Sequence, residues 1–126
     1  MVVKWFTRKN GLIIEDNSKF IEMVVDILHD HVRLLYATDA EKGITIAQKK
    51  KPYFILLDIE MPGMDGLEAL RILKENQRTR NIPVFMLTSE GTIGKMEDAF
   101  KLGAIGYFLK THNLTNLYDR IQEHIG

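Results

Sequence analysis

Phe54-Ile55-Leu56-Leu57-Asp58-Ile59-Glu60-Met61-Pro62-Gly63-Met64-Asp65-Gly66 decides how this chain folds. Its first four residues are apolar on every successive position, so neither face of the segment is polar. A central parallel strand covered on both sides has that requirement. The run then meets an acid, and the Pro62-Gly63 pair marks the turn that follows. Outward from here the pattern repeats. Strand-length apolar runs are read at Leu12 to Glu15, Val32 to Ala37, Tyr53 to Leu57, Val84 to Leu87 and Gly106 to Leu109, each followed by a segment of helical period. Five alternations of this kind predict an α/β fold, a doubly wound parallel sheet with helices on both faces.

The intervening segments show apolar stripes. Ala40, Gly43, Ile44 and Ala47 mark the second helix, which Thr38 and Glu41 would open as a capping box and Lys49-Lys50-Lys51 would close by complementing the helix dipole. Leu67, Leu70 and Leu73 mark the third. Met96, Ala99 and Phe100 mark a fourth that Gly103 can end, and Leu114, Leu117, Tyr118, Ile121 and Ile125 form the closing one. All these stripes are expected in the core. Asp16 and Glu15 could serve to cap the first helix, but Ser18 could do that instead, leaving both acids free for other work.

Bulk properties bound the function. The 126 residues suit one domain, and 45% apolar content suffices for one core. Seventeen basic and seventeen acidic side chains cancel, so no global charge draws the chain to nucleic acid or to a membrane surface. The absence of cysteine excludes disulfides and thiolate sites, and makes a reducing cytoplasm the simplest home. No apolar stretch approaches the roughly 18 residues a membrane span needs, and the start is too quickly charged for a signal peptide.

In open parallel sheets, ligands bind beyond the carboxyl ends of the strands. At or just after four such ends stand Glu15-Asp16, Asp58, Thr88 and Lys110. Clustered carboxylates repel, by about 4 kcal/mol for a pair roughly 4 Å apart at an effective dielectric near 20. A bound cation is therefore expected, and ligands that are all hard oxygens point to Mg²⁺. Zinc is disfavoured, since neither cysteine nor histidine stands at these ends. His29, His31, His112 and His124 read as solvated or helix-end residues. An ammonium and a hydroxyl aimed at a carboxylate beside Mg²⁺ would suit phosphoryl transfer, which asks a protein chiefly for positioning and charge neutralisation.

With these residues in place, the sequence resembles the receiver domains of two-component response regulators. The resemblance runs from Gly11 to Ile125 and rests on Leu-Ile-Ile-Glu-Asp-Asn at 12–17, Leu-Leu-Asp-Ile-Glu-Met-Pro-Gly-Met-Asp-Gly at 56–66, Val-Phe-Met-Leu-Thr-Ser at 84–89 and Gly-Ala-Ile-Gly-Tyr-Phe-Leu-Lys at 103–110. It implies a receiver domain over residues 11–126 behind a short extension at 1–10, with flavodoxin-like strand order 2-1-3-4-5. It also implies a switch, not an enzyme with an external substrate. Asp58 would accept a phosphoryl group from a histidine kinase or phosphotransfer protein. Asp16 and Asp58 would bind Mg²⁺ with the main-chain carbonyl of Glu60, and Glu15 would act through a metal-bound water. Lys110 would contact the acyl phosphate, Thr88 would hydrogen-bond it, and Tyr107 would move inward with Thr88. The fourth helix, fifth strand and fifth helix would report the change to a downstream protein or output domain. Glu60 and Glu90, two residues beyond Asp58 and Thr88, would border the phosphate and tune its loss.

Two departures from the family pattern bear on this. Thr111 stands where proline usually follows the lysine; a cis bond before a non-proline residue costs about 3–4 kcal/mol, which favours a trans bond and a re-aimed Lys110. Ile105-Gly106 replaces an acidic pair common in receivers that dimerise to drive DNA-binding domains. The Thr111 departure keeps open a phosphate-independent pseudo-receiver. An aspartyl-phosphate phosphatase would place its nucleophile on the first strand, not the third. A flavodoxin would need Ser, Thr and Gly where Glu15-Asp16-Asn17 stands.

Overall fold

Every residue of the run Phe54–Asp58 is buried in the computed structural model, which describes residues 8–125. That burial needs a neighbour on each edge and a layer on each face. The edges are supplied by β1 (Lys9–Ile14) on one side of β3 (Phe54–Asp58) and β4 (Val84–Thr88) on the other. Outside these lie β2 (Val32–Ala37) and β5 (Gly106–Leu109), giving five parallel strands in the order β2-β1-β3-β4-β5. The fold is flavodoxin-like, as expected.

The two faces follow from the strand alternation of side chains. Leu12, Ile14, Ile55, Leu57, Val84 and Met86 face one core, which packs against α2 (Ala40–Lys50), α3 (Gly66–Glu75) and α4 (Met96–Leu102). Ile13, Phe54, Leu56, Phe85, Leu87 and Phe108 face the other, against α1 (Ser18–Leu28) and α5 (Leu117–Ile125).

Several boundaries and caps differ from expectation, each for a physical reason. β1 starts at Lys9, so Lys9 and Asn10 of the expected extension pair with Val32 and Arg33; ladder bonds are backbone bonds and tolerate polar side chains. Residues 1–7 of that extension lie outside the described residues. Asp58 and Thr88 belong to their strands, in register with Leu87 and Leu109. Asn17, not Ser18, caps α1, its carboxamide oxygen accepting from the Phe20 N–H at 3.0 Å. Asp39 replaces the expected Thr38–Glu41 box at α2, accepting from the Lys42 N–H at 2.9 Å. A carboxylate one residue nearer the helix serves the same orphan donors. Gly103 ends α4 with φ +112, as expected. Phe100, expected in the core, is 46% exposed and lies edge-on to Tyr107 at 6.3 Å. Leu114 is buried ahead of α5, in the turn that the Leu117 N–H closes onto its carbonyl.

Candidate metal and phosphoryl site

The carboxyl ends of β1, β3 and β5 bring the chemistry together. Glu15 follows β1 and is fully buried; its backbone N–H still donates to Ala37, which fixes where the side chain leaves the sheet. Asp16 follows it and is exposed. Asp58 ends β3 at 4% exposure. Carboxylate oxygens of Glu15, Asp16 and Asp58 lie within 4.8 Å of one another. From the end of β5, Lys110 places Nζ 2.9 Å from Glu15 Oε1 and 3.6 Å from Asp58 Oδ2. Its ammonium also lies 5.0 Å over the Phe20 ring, a cation–π contact from α1 that steadies its position. The described residues contain no cis peptide bond, so Lys110–Thr111 is trans. The expected re-aiming of Lys110 does not follow, because the Lys110 N–H donates to Thr88 O at 2.9 Å and keeps the residue in strand register.

The charges are out of balance. Among the described residues one ammonium, Lys110, pairs with two of the three clustered carboxyl groups. Burial, and next the neighbouring Glu15, push the Asp58 carboxyl up to about 7, against the opposing pull of Lys110 and the Glu60 N–H, which donates to Asp58 Oδ1 at 3.3 Å. Asp16 adds to the upward push. Burial alone would lower the Lys110 ammonium, but contact with Glu15 and Asp58 leaves it raised and firmly protonated. Glu15 Oε2 accepts from the Asn17 N–H at 3.0 Å, while its buried Oε1 lies 2.9 Å from Lys110 Nζ. Three carboxyl groups within 4.8 Å of one another, of which Lys110 pairs with two, fit a hard divalent cation, and the donor set is entirely oxygen. The three residues can therefore hold Mg²⁺.

These groups open into a cleft of ≈ 220 Å³, whose wall also includes Glu60, Ser89 and Thr92. A hollow of ≈ 250 Å³ at the opposite end of the sheet, between Lys9, His31, Tyr53 and Tyr118, gathers no acidic cluster. His31 stacks on Tyr118 there at 4.1 Å, and His124 meets Phe85 edge-on at 5.4 Å, so both are packing residues.

Two expected residues stand apart from the cleft. Thr88 is 1% exposed and its hydroxyl is turned to Thr92 Oγ1 at 2.7 Å. Tyr107 is 40% exposed, on the face of β5 opposite the buried Phe108. Glu60 is exposed, its carboxylate 3.7 Å from Lys95 Nζ, and Glu90 is exposed. Sequence reading passed over Phe20, Ser89, Thr92 and Lys95. The Thr88-Ser89 pair followed by Thr92 is a visible hydroxyl spacing; Phe20 carries no such signal.

Comparisons with known proteins bear on the fold and the family. A family model described as the response regulator receiver domain matches residues 12–122. The chain is 30% identical over 116 residues to the transcriptional regulatory protein YvrH of Bacillus subtilis, covering 90% of this chain and 48% of that protein. It is 25% identical over 115 residues to sporulation initiation phosphotransferase F of the same species, covering 90% and 91%. The solved chemotaxis protein CheY4 of Vibrio cholerae superposes with a TM-score of 0.85 at 26% identity, covering 94% of this chain and 99% of that one. The chain spans half or less of the length of most of the curated relatives it matches first, 48% and 26% of the leading two. With 111 of its residues inside one family model and the acidic cluster at the expected strand ends, the chain belongs to the response regulator receiver domain family.

Proposed function

We propose that this receiver domain is a phosphorylation switch in which Asp58 takes a phosphoryl group from the phosphohistidine of a histidine kinase or a phosphotransfer protein. The observation that carries the reading is the convergence on Asp58 of one ammonium and two further acids from separate strand ends. The Asp58 carboxylate attacks phosphorus in line, the phosphorus–nitrogen bond breaks, and the imidazole leaves with a proton. Lys110, held between Glu15 and Asp58, is placed to neutralise the negative charge of the incoming group. Asp16, Asp58 and the Glu60 carbonyl would hold Mg²⁺, with Glu15 acting through water. The metal would supply charge neutralisation of the phosphoryl oxygens. Water then slowly hydrolyses the acyl phosphate, so the domain turns over only its own modification, at a rate tuned by Glu60 and Glu90.

In this reading Thr88 swings to the phosphoryl group and Tyr107 moves inward, changing the surface of α4, β5 and α5 that a downstream protein or output domain reads. No described helix is long and apolar enough to cross a membrane, and a cytoplasmic setting among kinase partners suits the cysteine-free chain. The test is intact-mass measurement after incubation with Mg²⁺ and acetyl phosphate. One phosphoryl is expected on the wild type, none without Mg²⁺ and none on Asp58→Asn. No adduct on the wild type, or an adduct that survives in Asp58→Asn, would overturn the assignment.

A further inference from the structure

The geometry points to Thr92 as a positioning residue, a hydroxyl latch that holds Thr88 away from the cleft and sets how readily the switch turns on. The inference rests on the reading of Asp58 as acceptor and adds to it a residue four positions beyond Thr88.

Thr92 lies in the connection between β4 and α4 and is only 6% exposed. Its hydroxyl meets four groups. It accepts from the Ser89 N–H at 3.0 Å, reaches Ser89 O at 3.3 Å and Ser89 Oγ at 3.2 Å, and shares the 2.7 Å bond with Thr88 Oγ1. The last is the shortest of the set. A hydroxyl has one proton. If Thr88 donates to Thr92, that proton is in use; if Thr88 accepts, its own proton goes to Ser89 O at 3.2 Å. In either arrangement the Thr88 proton is engaged, by Thr92 or by Ser89 O, and turning the hydroxyl toward the cleft breaks its 2.7 Å bond with Thr92.

The latch is also tied to what lies downstream. The Thr92 N–H donates to Ser89 O at 3.0 Å, and the Lys95 N–H donates to Thr92 O at 2.9 Å, fastening the connection to the 3-10 turn at Ile93–Lys95 that leads into α4. The Thr88–Thr92 bond therefore ties Thr88 to the connection that leads into α4, the helix whose Phe100 meets Tyr107. Because the latch acts only on the unmodified state, removing it favours the modified one.

The test titrates beryllofluoride with Mg²⁺ into wild type, Thr92→Val and Thr92→Ser while following the amide resonances of Thr88 and Tyr107. Valine keeps the branched volume in this buried position and deletes only the hydroxyl. The expected result is a midpoint about fivefold lower for Thr92→Val, the factor one neutral hydrogen bond carries. Its free-state resonances should already be displaced toward the bound positions. Thr92→Ser should behave as wild type. An unchanged or higher midpoint in Thr92→Val, with wild type binding normally, would overturn the latch and leave the acceptor reading intact. A wild type that binds no beryllofluoride would overturn the acceptor reading and the latch together. If Thr92→Val does not fold, Thr92→Ala provides the same comparison.

Discussion

At Asp58 burial and reactivity pull in opposite directions, and the pH axis measures the conflict. An attacking carboxylate must be ionised, yet burial and Glu15 hold this one up to about 7, from an ordinary value of 3.8. In the unfolded chain Asp58 loses its proton near pH 4, whereas in the fold it keeps it until about 7. Between those values the folded state binds more protons than the unfolded one, so folding stability falls as pH rises and then levels off. Asparagine has no proton to lose. Asp58→Asn should therefore melt close to wild type near pH 4 and progressively above it toward pH 7.5, in the presence of a chelator. Allowing for screening by the open cleft, the gain should be about 1–2 kcal/mol, or roughly 4–8 °C for a domain of this size. Thermal melts across that range check it, and a difference that does not vary with pH would show that Asp58 is not under the electrostatic load described.

Among the elements, the β3–α3 connection is the least forgiving, and Gly66 shows why. A Cβ built on Gly66 would stand 2.1 Å from the Asp58 carbonyl oxygen and 2.7 Å from the Ile59 Cα, both backbone atoms that no rotamer change can clear. The Gly66 N–H donates to Ile59 O at 2.9 Å, so α3 begins in direct contact with the end of the strand that presents Asp58. Gly66→Ala must displace that strand end or the helix start. An overpacking cost of about 1–3 kcal/mol is expected, together with loss of Mg²⁺-dependent phosphorylation from acetyl phosphate. Melting and intact mass check the two effects, and full phosphorylation at an unchanged melting temperature would contradict the close contact. Gly66 was legible in sequence only as part of the family motif; its reason lies in a contact between two elements. The same division applies elsewhere. Strand positions and the carboxyl-end residues Glu15, Asp16, Asp58 and Lys110 could be read because buried parallel strands are apolar throughout and their ends stand out as the first polar residues. The exact caps at Asn17 and Asp39 could not, since two neighbouring polar residues compete for each and packing selects one. Nor could the outward side chain of Phe100, or the pairing of Thr88 with Thr92, which depend on the path of the β4–α4 connection.

Over the whole molecule, the sheet divides stability from function. Two apolar cores, one on each face, supply the burial that stabilises the fold, while the carboxyl edge gathers Glu15, Asp16 and Asp58 around a single ammonium. Formal charges cancel over the chain, so the repulsion is local to that edge, and bringing Asp58 up to Glu15 and Asp16 is a cost of folding, because the unfolded chain holds Asp58 far from that pair. A divalent cation that binds among them meets its full ligand set only in the folded state, and by mass action it must raise the melting temperature. At a free concentration ten times the dissociation constant the gain is about 1.4 kcal/mol, or roughly 5 °C here. We expect Mg²⁺ to raise the wild-type melting temperature in this way, with the shift growing logarithmically at higher concentration. Potassium chloride at equal ionic strength should not reproduce it, and Asp16→Asn or Asp58→Asn should lose most of it. Calorimetric or fluorimetric melts across a Mg²⁺ series decide the matter. An equal response to potassium would mean that general screening relieves the edge, and an undiminished response in both variants would place the metal somewhere other than the cluster at the ends of β1 and β3.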